Sequence, residues 1–254
     1  MVERLAAVAG AIRRCAATSL AEPEVLGLRE LVGAGDVCFD VGAAYGMYTF
    51  PLADLVGPRG LVCAFEPQAV SRRVLAGCRR CCRADNVRIS PAAVAAGSGA
   101  LDLALPVRWG LPIRGHAHLR GGQQREGGQQ REGGQREPDG QRPGRSVRTW
   151  RVPTVSVDEF CERHDIAGVR FLKADVEGFE PEVLRGAQRT LRADRPVLLL
   201  EVETRHLSRY GTTGEAFSGE LRDLGYAMYT WRRRAWTRTD AVTADRRNYL
   251  FAAE

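Results

Sequence analysis

Two loops carry residues whose types and spacing can do chemistry. Asp40-Val41-Gly42-Ala43-Ala44-Tyr45-Gly46 and Leu172-Lys173-Ala174-Asp175-Val176-Glu177-Gly178 each follow an apolar run, place carboxylates where a strand ends, and pass through glycine into a helical pattern. In an open α/β sheet, ligands bind beyond the carboxyl ends of the strands, where such loops gather. Asp175 and Glu177 stand two residues apart, so a strand continuing through them would aim both side chains to one side. Glu201 and Glu203 repeat that spacing after the apolar run 196–200. Four acids at one sheet edge can serve as general base, accept substrate hydroxyls or hold a cation. A base matters because an alcohol is a poor nucleophile until its proton leaves, and such help is worth about 10²–10⁴-fold. Mg²⁺ takes only one or two carboxylates plus waters, so these residues allow it without requiring it. His206, just past the second acid pair, reads first as a surface loop histidine, with a base facing the acceptor as its alternative.

The first loop has the features of a cofactor site. Gly42 and Gly46 let backbone approach a ligand closely, because glycine lacks a Cβ. The N–H groups of the following helix would meet any anionic group lying there. The spacing Gly-x-x-x-Gly is not the dinucleotide fingerprint, and no Lys-Ser/Thr follows as in a phosphate loop. Glu66 lies 20 residues after Gly46 and ends the next apolar run, 61–65. An acid there accepts hydrogen bonds from ribose hydroxyls. An adenosine ribose with an amino-acid carboxylate and no pyrophosphate fits these residues better than NAD does. S-adenosyl-L-methionine is such a molecule. The plain alternative is a turn that needs small residues beside an acid that caps a helix.

The elements that must position these loops alternate. Strands are expected at 37–41, 61–65, 87–90, 169–174 and 196–202, with helices at 45–56, 69–83, 157–163, 179–191 and 215–224 between or after them. Tyr226 to Trp231 and Tyr249 to Ala252 add two final strands, and Leu101 to Leu105 an extra one. This pattern predicts an α/β, doubly wound, mostly parallel seven-stranded sheet with an antiparallel C-terminal end. Residues 1–34 read as an N-terminal helical segment and 35–254 as the main domain, with a low-complexity insertion at about 114–150. Within that insertion Gly121 to Glu137 repeats Gly-Gly-Gln-Gln-Arg-Glu and has no apolar face to bury.

Net charge is +6, but residues 114–151 contribute nine arginines against four acids, so the rest is almost neutral. A nucleic-acid enzyme needs a basic face on its folded body, which argues against a nucleic-acid partner. No apolar run reaches the roughly 20 residues needed to span a bilayer. Residues 1–20 lack a clear cleavage site, so the expected location is cytoplasmic, with the seven scattered cysteines reduced. Cys78, Cys81 and Cys82 have no second ligand pair for zinc, and His116 with His118 lack a third.

With these residues in view, the sequence resembles the FkbM-type methyltransferases, a branch of the class I S-adenosylmethionine-dependent enzymes with a Rossmann-like fold. The match runs through Asp40-Val41-Gly42-Ala43, Gly46 and Tyr48-Thr49, then Phe65-Glu66-Pro67. It continues through the stretch 172–180 and through Val183-Leu184-Arg185-Gly186-Ala187 and Glu201. The resemblance implies cofactor binding by Asp40, Gly42, Ala43, Ala44, Gly46, Thr49, Glu66 and Asp175. It also places Asp175 beside the transferring methyl, leaving Glu177 or Glu201 to bind or deprotonate the acceptor. Family members methylate hydroxyls on sugars or secondary metabolites, so a small-molecule or carbohydrate hydroxyl acceptor is implied. Where the family usually has asparagine, this chain has Ala44, which removes a polar contact near the cofactor. That departure and the repeat keep a non-catalytic adenosyl-ligand module as the alternative. Oligomeric state has no signal in the sequence.

Overall fold

The computed structural model describes residues 2–108, 111–112, 118–120 and 145–254. The repeat at 121–137 and His116 lie outside them. Strands Val37–Val41 (β1), Leu61–Phe65 (β2) and Val87–Ser90 (β3) come first. They are followed by Ala93–Val94 (β4), Gly99–Arg108 (β5), Leu111–Pro112 (β6), His118–Arg120 (β7) and Arg145–Val155 (β8). Val169–Ala174 (β9), Val197–Glu201 (β10), Tyr226–Arg232 (β11), Ala235–Arg238 (β12) and Asn248–Ala253 (β13) complete them.

One sheet has the order β12-β11-β13-β10-β9-β1-β2-β3. From β10 to β3 the strands are parallel, and β13, β11 and β12 pair antiparallel. The α/β class, the parallel centre and the antiparallel end are as the sequence predicts. The eighth strand, β12, is an edge hairpin partner that is mostly exposed and carries no apolar alternation to announce it. A second sheet joins β4, β8, β5 and β6, with β7 on β5. The expected short strand at 101–105 is the middle of β5, paired along its length with β8 from Gly99↔Thr154 to Arg108↔Arg145. Strand pairing therefore resumes at Arg145, inside the span 114–150 read as insertion.

Residue parity divides the core. Cys38, Val62, Phe171 and Leu199 face the helices Val2–Ala17 (α1), Thr49–Val56 (α2) and Ala69–Cys82 (α3) through Leu5, Leu52 and Leu75. Phe39, Cys63, Leu172 and Leu198 face Val157–His164 (α4), Glu180–Arg185 (α5), Gln188–Ala193 (α6), Thr204–Leu207 (α7) and Gly214–Asp223 (α8). Being covered on both faces is why the central strands read as continuous apolar runs. Phe160 of α4 packs edge-on against Phe65, with ring centroids 4.7 Å apart. A side chain of this size contributes about 1.5–3 kcal/mol by leaving water.

Two helices differ from expectation for local reasons. α2 starts at Thr49 rather than Tyr45, because Gly46 N–H bonds back to Ala43 O at 2.8 Å and closes a turn first. The single helix expected over 179–191 breaks into α5 and α6 at Gly186, whose backbone lies against Ala95 O; a Cβ there would sit 2.1 Å from that oxygen.

Candidate active site

β1 ends by burying Asp40. Thr49 Oγ1, in the first turn of α2, donates to its Oδ2 at 2.5 Å. Burial raises the Asp40 carboxyl above the usual range, while Lys173 and the Thr49 bond pull the other way. The turn that follows is crowded. Gly42 has φ +81°, and a Cβ there would lie 2.1 Å from the carbonyl oxygen of Asp175, so the two loops meet backbone to backbone. Gly42 and Ala43 N–H both donate to Phe65 O at 3.0 Å, and Ala44 N–H donates to Glu66 Oε2 at 2.8 Å. With Gly46 bonded to Ala43, these four N–H groups are spent on the fold. Of these, the Ala44 N–H is the one that holds the Glu66 carboxylate in place.

Glu66 is buried, and its Oε1 accepts from Gln68 N–H at 2.7 Å. Burial raises its carboxyl, and the two backbone donors restrain the rise. Each oxygen has one donor and retains a further lone-pair site, since a carboxylate offers about four.

Gly42, Ala44 and Glu66 line a cavity of about 360 Å³, walled on its apolar side by Ala93, Val94 and Leu103 and reached by Asp175, Glu177 and Glu201. That volume falls in the range of small-molecule sites, about 300–1,000 Å³. Asp40, Ala43, Gly46 and Thr49 do not line it; they shape the turn from beneath.

The acid side is built by a turn, not by a strand. Asp175 N–H still bonds Val41 O at 3.1 Å, after which Glu177 adopts φ +57° and Gly178 φ +100°. Extended geometry thus does not continue through Glu177, yet both carboxylates reach the same cavity. Lys173 is buried; its Nζ lies 3.2 Å from Asp175 Oδ2 and 4.9 Å from the centre of the Tyr48 ring. The surrounding carboxylates outweigh its desolvation and hold the ammonium charged.

His206 is buried at 3% exposure, so the surface reading fails. Its Nδ1 lies 3.1 Å from Glu177 Oε2 and 3.3 Å from Glu201 Oε2. Gly178 permits this closure, because a Cβ there would stand 2.5 Å from the His206 backbone. Its glycine was the one trace of that contact visible in the sequence. The donor atoms of Glu177, Glu201 and His206 all fall within 4.8 Å of one another, close enough to share a proton or a cation. Glu203 is drawn away into ion pairs with Arg205 and Arg247.

Burial, and next the charge of Asp175, push Glu177 up to about 7. Burial raises Glu201 well above the usual carboxylate range, with Asp175, Glu180 and Glu177 adding to it. One carboxylate near half-ionisation and one holding its proton at neutral pH make a site able to accept a proton from a ligand. Sequence reasoning missed Glu22 altogether. It reaches the cavity from the N-terminal segment, and Tyr48 Oη donates to its Oε2 at 2.7 Å.

A family model described as the Methyltransferase FkbM domain matches residues 40–228. Among solved structures, the chain is similar to an FkbM methyltransferase from Methylobacillus flagellatus KT, at 12% identity and a TM-score of 0.50. That match covers 87% of this chain and 44% of the other, so this chain spans less than half of that protein's length. An S-adenosylmethionine-dependent O-methyltransferase from Thermotoga maritima is 13% identical, with 91% and 64% covered and a TM-score of 0.46. Aeropyrum pernix fibrillarin, solved with bound S-adenosyl-L-methionine, is 16% identical, with 91% and 74% covered and a TM-score of 0.44. Among curated proteins none matches. The family match extends over well more than half of the sequence, from the first acid of the cofactor turn to the sheet's antiparallel end. The chain belongs to the FkbM methyltransferase domain family and has the α/β fold of S-adenosylmethionine-dependent methyltransferases.

Proposed function

We propose that the protein is a cytoplasmic enzyme that methylates a hydroxyl group on a small-molecule acceptor, a sugar or a secondary metabolite, using S-adenosyl-L-methionine. The observation that carries this reading is the convergence of Glu177 and Glu201, both backed by His206, on the same cavity as Gly42, Ala44 and Glu66. The residues present fit the cofactor. Glu66 is a buried, pre-oriented carboxylate with lone pairs to spare for two ribose hydroxyls, and the small residues Gly42 and Ala44 leave room at the cavity wall. Ala93 and Val94 supply an apolar surface for a base. When bound, the cofactor supplies a methyl group already activated on a sulfonium.

The chain's own residues then handle the acceptor. Asp175, fixed by Lys173, orients the hydroxyl. Glu177 takes its proton, a step for which a pKa near the working pH is best suited. Glu201 and His206 hold Glu177 in position, and the apolar wall excludes water. Asp40 and Thr49 act by shaping the turn. Residues 35–254 form the catalytic body, and the N-terminal segment contributes to its cavity. The acceptor is small: outside the arginine-rich stretch the chain is almost neutral, and no helix among the described residues is long and apolar enough to cross a membrane.

The test has two arms. Calorimetry should show S-adenosylmethionine binding and no NAD binding. Release of S-adenosylhomocysteine across a panel of hydroxylated acceptors should identify a substrate, with Asp175→Ala and Glu177→Ala as inactive controls. No affinity for the cofactor would overturn the reading. Binding without turnover on any acceptor would favour a non-catalytic adenosyl-ligand module.

A further inference from the structure

Among the described residues, five carboxylates line the cavity: Glu22, Glu66, Asp175, Glu177 and Glu201. The last four have roles above. Glu22 has none, and it lies outside the family-matched span of 40–228. Its backbone is extended, immediately before the 3₁₀ helix Pro23–Glu30. Its side chain is nevertheless held from two distant elements. Tyr48 Oη donates at 2.7 Å and Asn248 Nδ2, on β13, at 2.9 Å. Both bonds fall on Oε2. Oε1 accepts no hydrogen bond among the described residues, so an anchored carboxylate faces the cavity with one oxygen uncommitted.

The local charge says what that oxygen should meet. Lys173 is shared by Asp175, Asp40 and Glu22, in that order of strength, which sets one ammonium against three acids. Arg247, the positive side chain on the cavity wall, is paired with Glu203 at 2.7 Å. A negative surplus beside a fixed acceptor selects a ligand that is cationic and donates N–H bonds. Primary ammonium is such a group, and the amino-acid tail of the cofactor carries one. We infer that Glu22 binds the α-ammonium of S-adenosylmethionine; this rests on the methyl-donor reading above and adds a residue from the N-terminal segment to it.

Glu22→Gln keeps an oxygen for Tyr48 and Asn248 and removes the charge. Three ligands are titrated into wild type and variant: S-adenosylhomocysteine, its analogue lacking the α-amino group, and 5′-methylthioadenosine, which lacks the whole tail. Loss of a charge-assisted bond predicts about ten- to hundredfold weaker binding of S-adenosylhomocysteine to the variant. The desamino analogue and 5′-methylthioadenosine should bind both proteins within about twofold, because the deleted partners no longer meet. In turnover, KM for the cofactor should rise while kcat at saturation is retained.

Equal weakening of all three ligands would show a packing role and overturn the inference. So would unchanged affinity for S-adenosylhomocysteine. Should the variant not fold, the wild type alone can still overturn the inference: a desamino analogue that binds within about twofold of S-adenosylhomocysteine leaves no ammonium contact for Glu22 to make. Wild type that binds none of the three ligands brings down the cofactor reading itself, an outcome separate from failure of Glu22.

Discussion

Replacing Glu177 by glutamine separates proton acceptance from hydrogen bonding at a single position. The carboxyl is lifted from 4.5 to about 7 by burial and by Asp175. At that value it is about 10% ionised at pH 6, half ionised at pH 7 and about 90% ionised at pH 8. If the ionised form takes the acceptor's proton, kcat/KM climbs roughly ninefold between those limits and then levels off. Glutamine has almost the same shape and leaves an oxygen for His206 Nδ1, 3.1 Å away in the wild type, but it has no basicity. The variant should lose about 10²–10⁴-fold in kcat and lose the rising limb, with cofactor affinity within about twofold of wild type. Initial rates of S-adenosylhomocysteine release from about pH 5.5 to 9 measure both, with calorimetry for the cofactor. A limb that survives in the variant would assign the titration to another group and refute the role of Glu177. Loss of wild-type activity on chelation, restored by a divalent cation, would turn Glu177, Glu201 and His206 from proton handling to metal binding.

Three further outcomes follow from the geometry. Gly42→Ala places a methyl 2.1 Å from Asp175 O at φ +81°, so it should cost at least about 1–3 kcal/mol from backbone strain and abolish cofactor binding. Chemical denaturation and calorimetry check it, and a variant with wild-type midpoint and affinity would disprove the contact between the loops. Ala44→Asn restores the family's usual residue at φ +45°, a conformation asparagine accepts more readily than alanine; thermal unfolding should show a gain of up to about 1 kcal/mol. Glu180 is fully buried with Oε2 unpartnered and is pushed up to about 8, mainly by desolvation. A folded-state pKa raised above the unfolded value favours the folded protein at low pH, and that contribution fades as pH rises from about 4.5 through about 8. The unfolding midpoint should therefore fall across that window, and Glu180→Gln, which keeps an acceptor for Val176 N–H, should flatten the fall.

What was readable in the sequence is what short-range pattern controls. β1 and β9 have the bounds their apolar runs announced, because strands covered on both faces need apolar residues at every position. Glu66 was found from its distance to Gly46, since strand and helix lengths fix where the next strand ends. The failures at His206 and Glu22 depend on contacts between distant residues. The burial of His206 rests on Gly178 letting one backbone touch another. Glu22 is fixed by partners 26 and 226 residues away, and no local spacing encodes either. The shape at Glu177 misled for a different reason. Period-two reasoning assumes extended backbone, and the chain leaves that conformation just after Asp175.

The position of β13 has a consequence for how the protein comes into being. Among the described residues this strand follows β11 and β12 in chain order, yet it is inserted between β10 and β11, pairing Leu200 with Tyr249 on one side and Met228 with Phe251 on the other. A nascent chain that has extruded only as far as β12 therefore carries two unpaired strand edges, which invite association with other chains. It also lacks Asn248, so the Glu22 carboxylate is not yet clamped. Removing Asn248–Ala253 would therefore free both of those edges and release the Glu22 clamp at once, giving an aggregating polypeptide rather than a merely loosened fold.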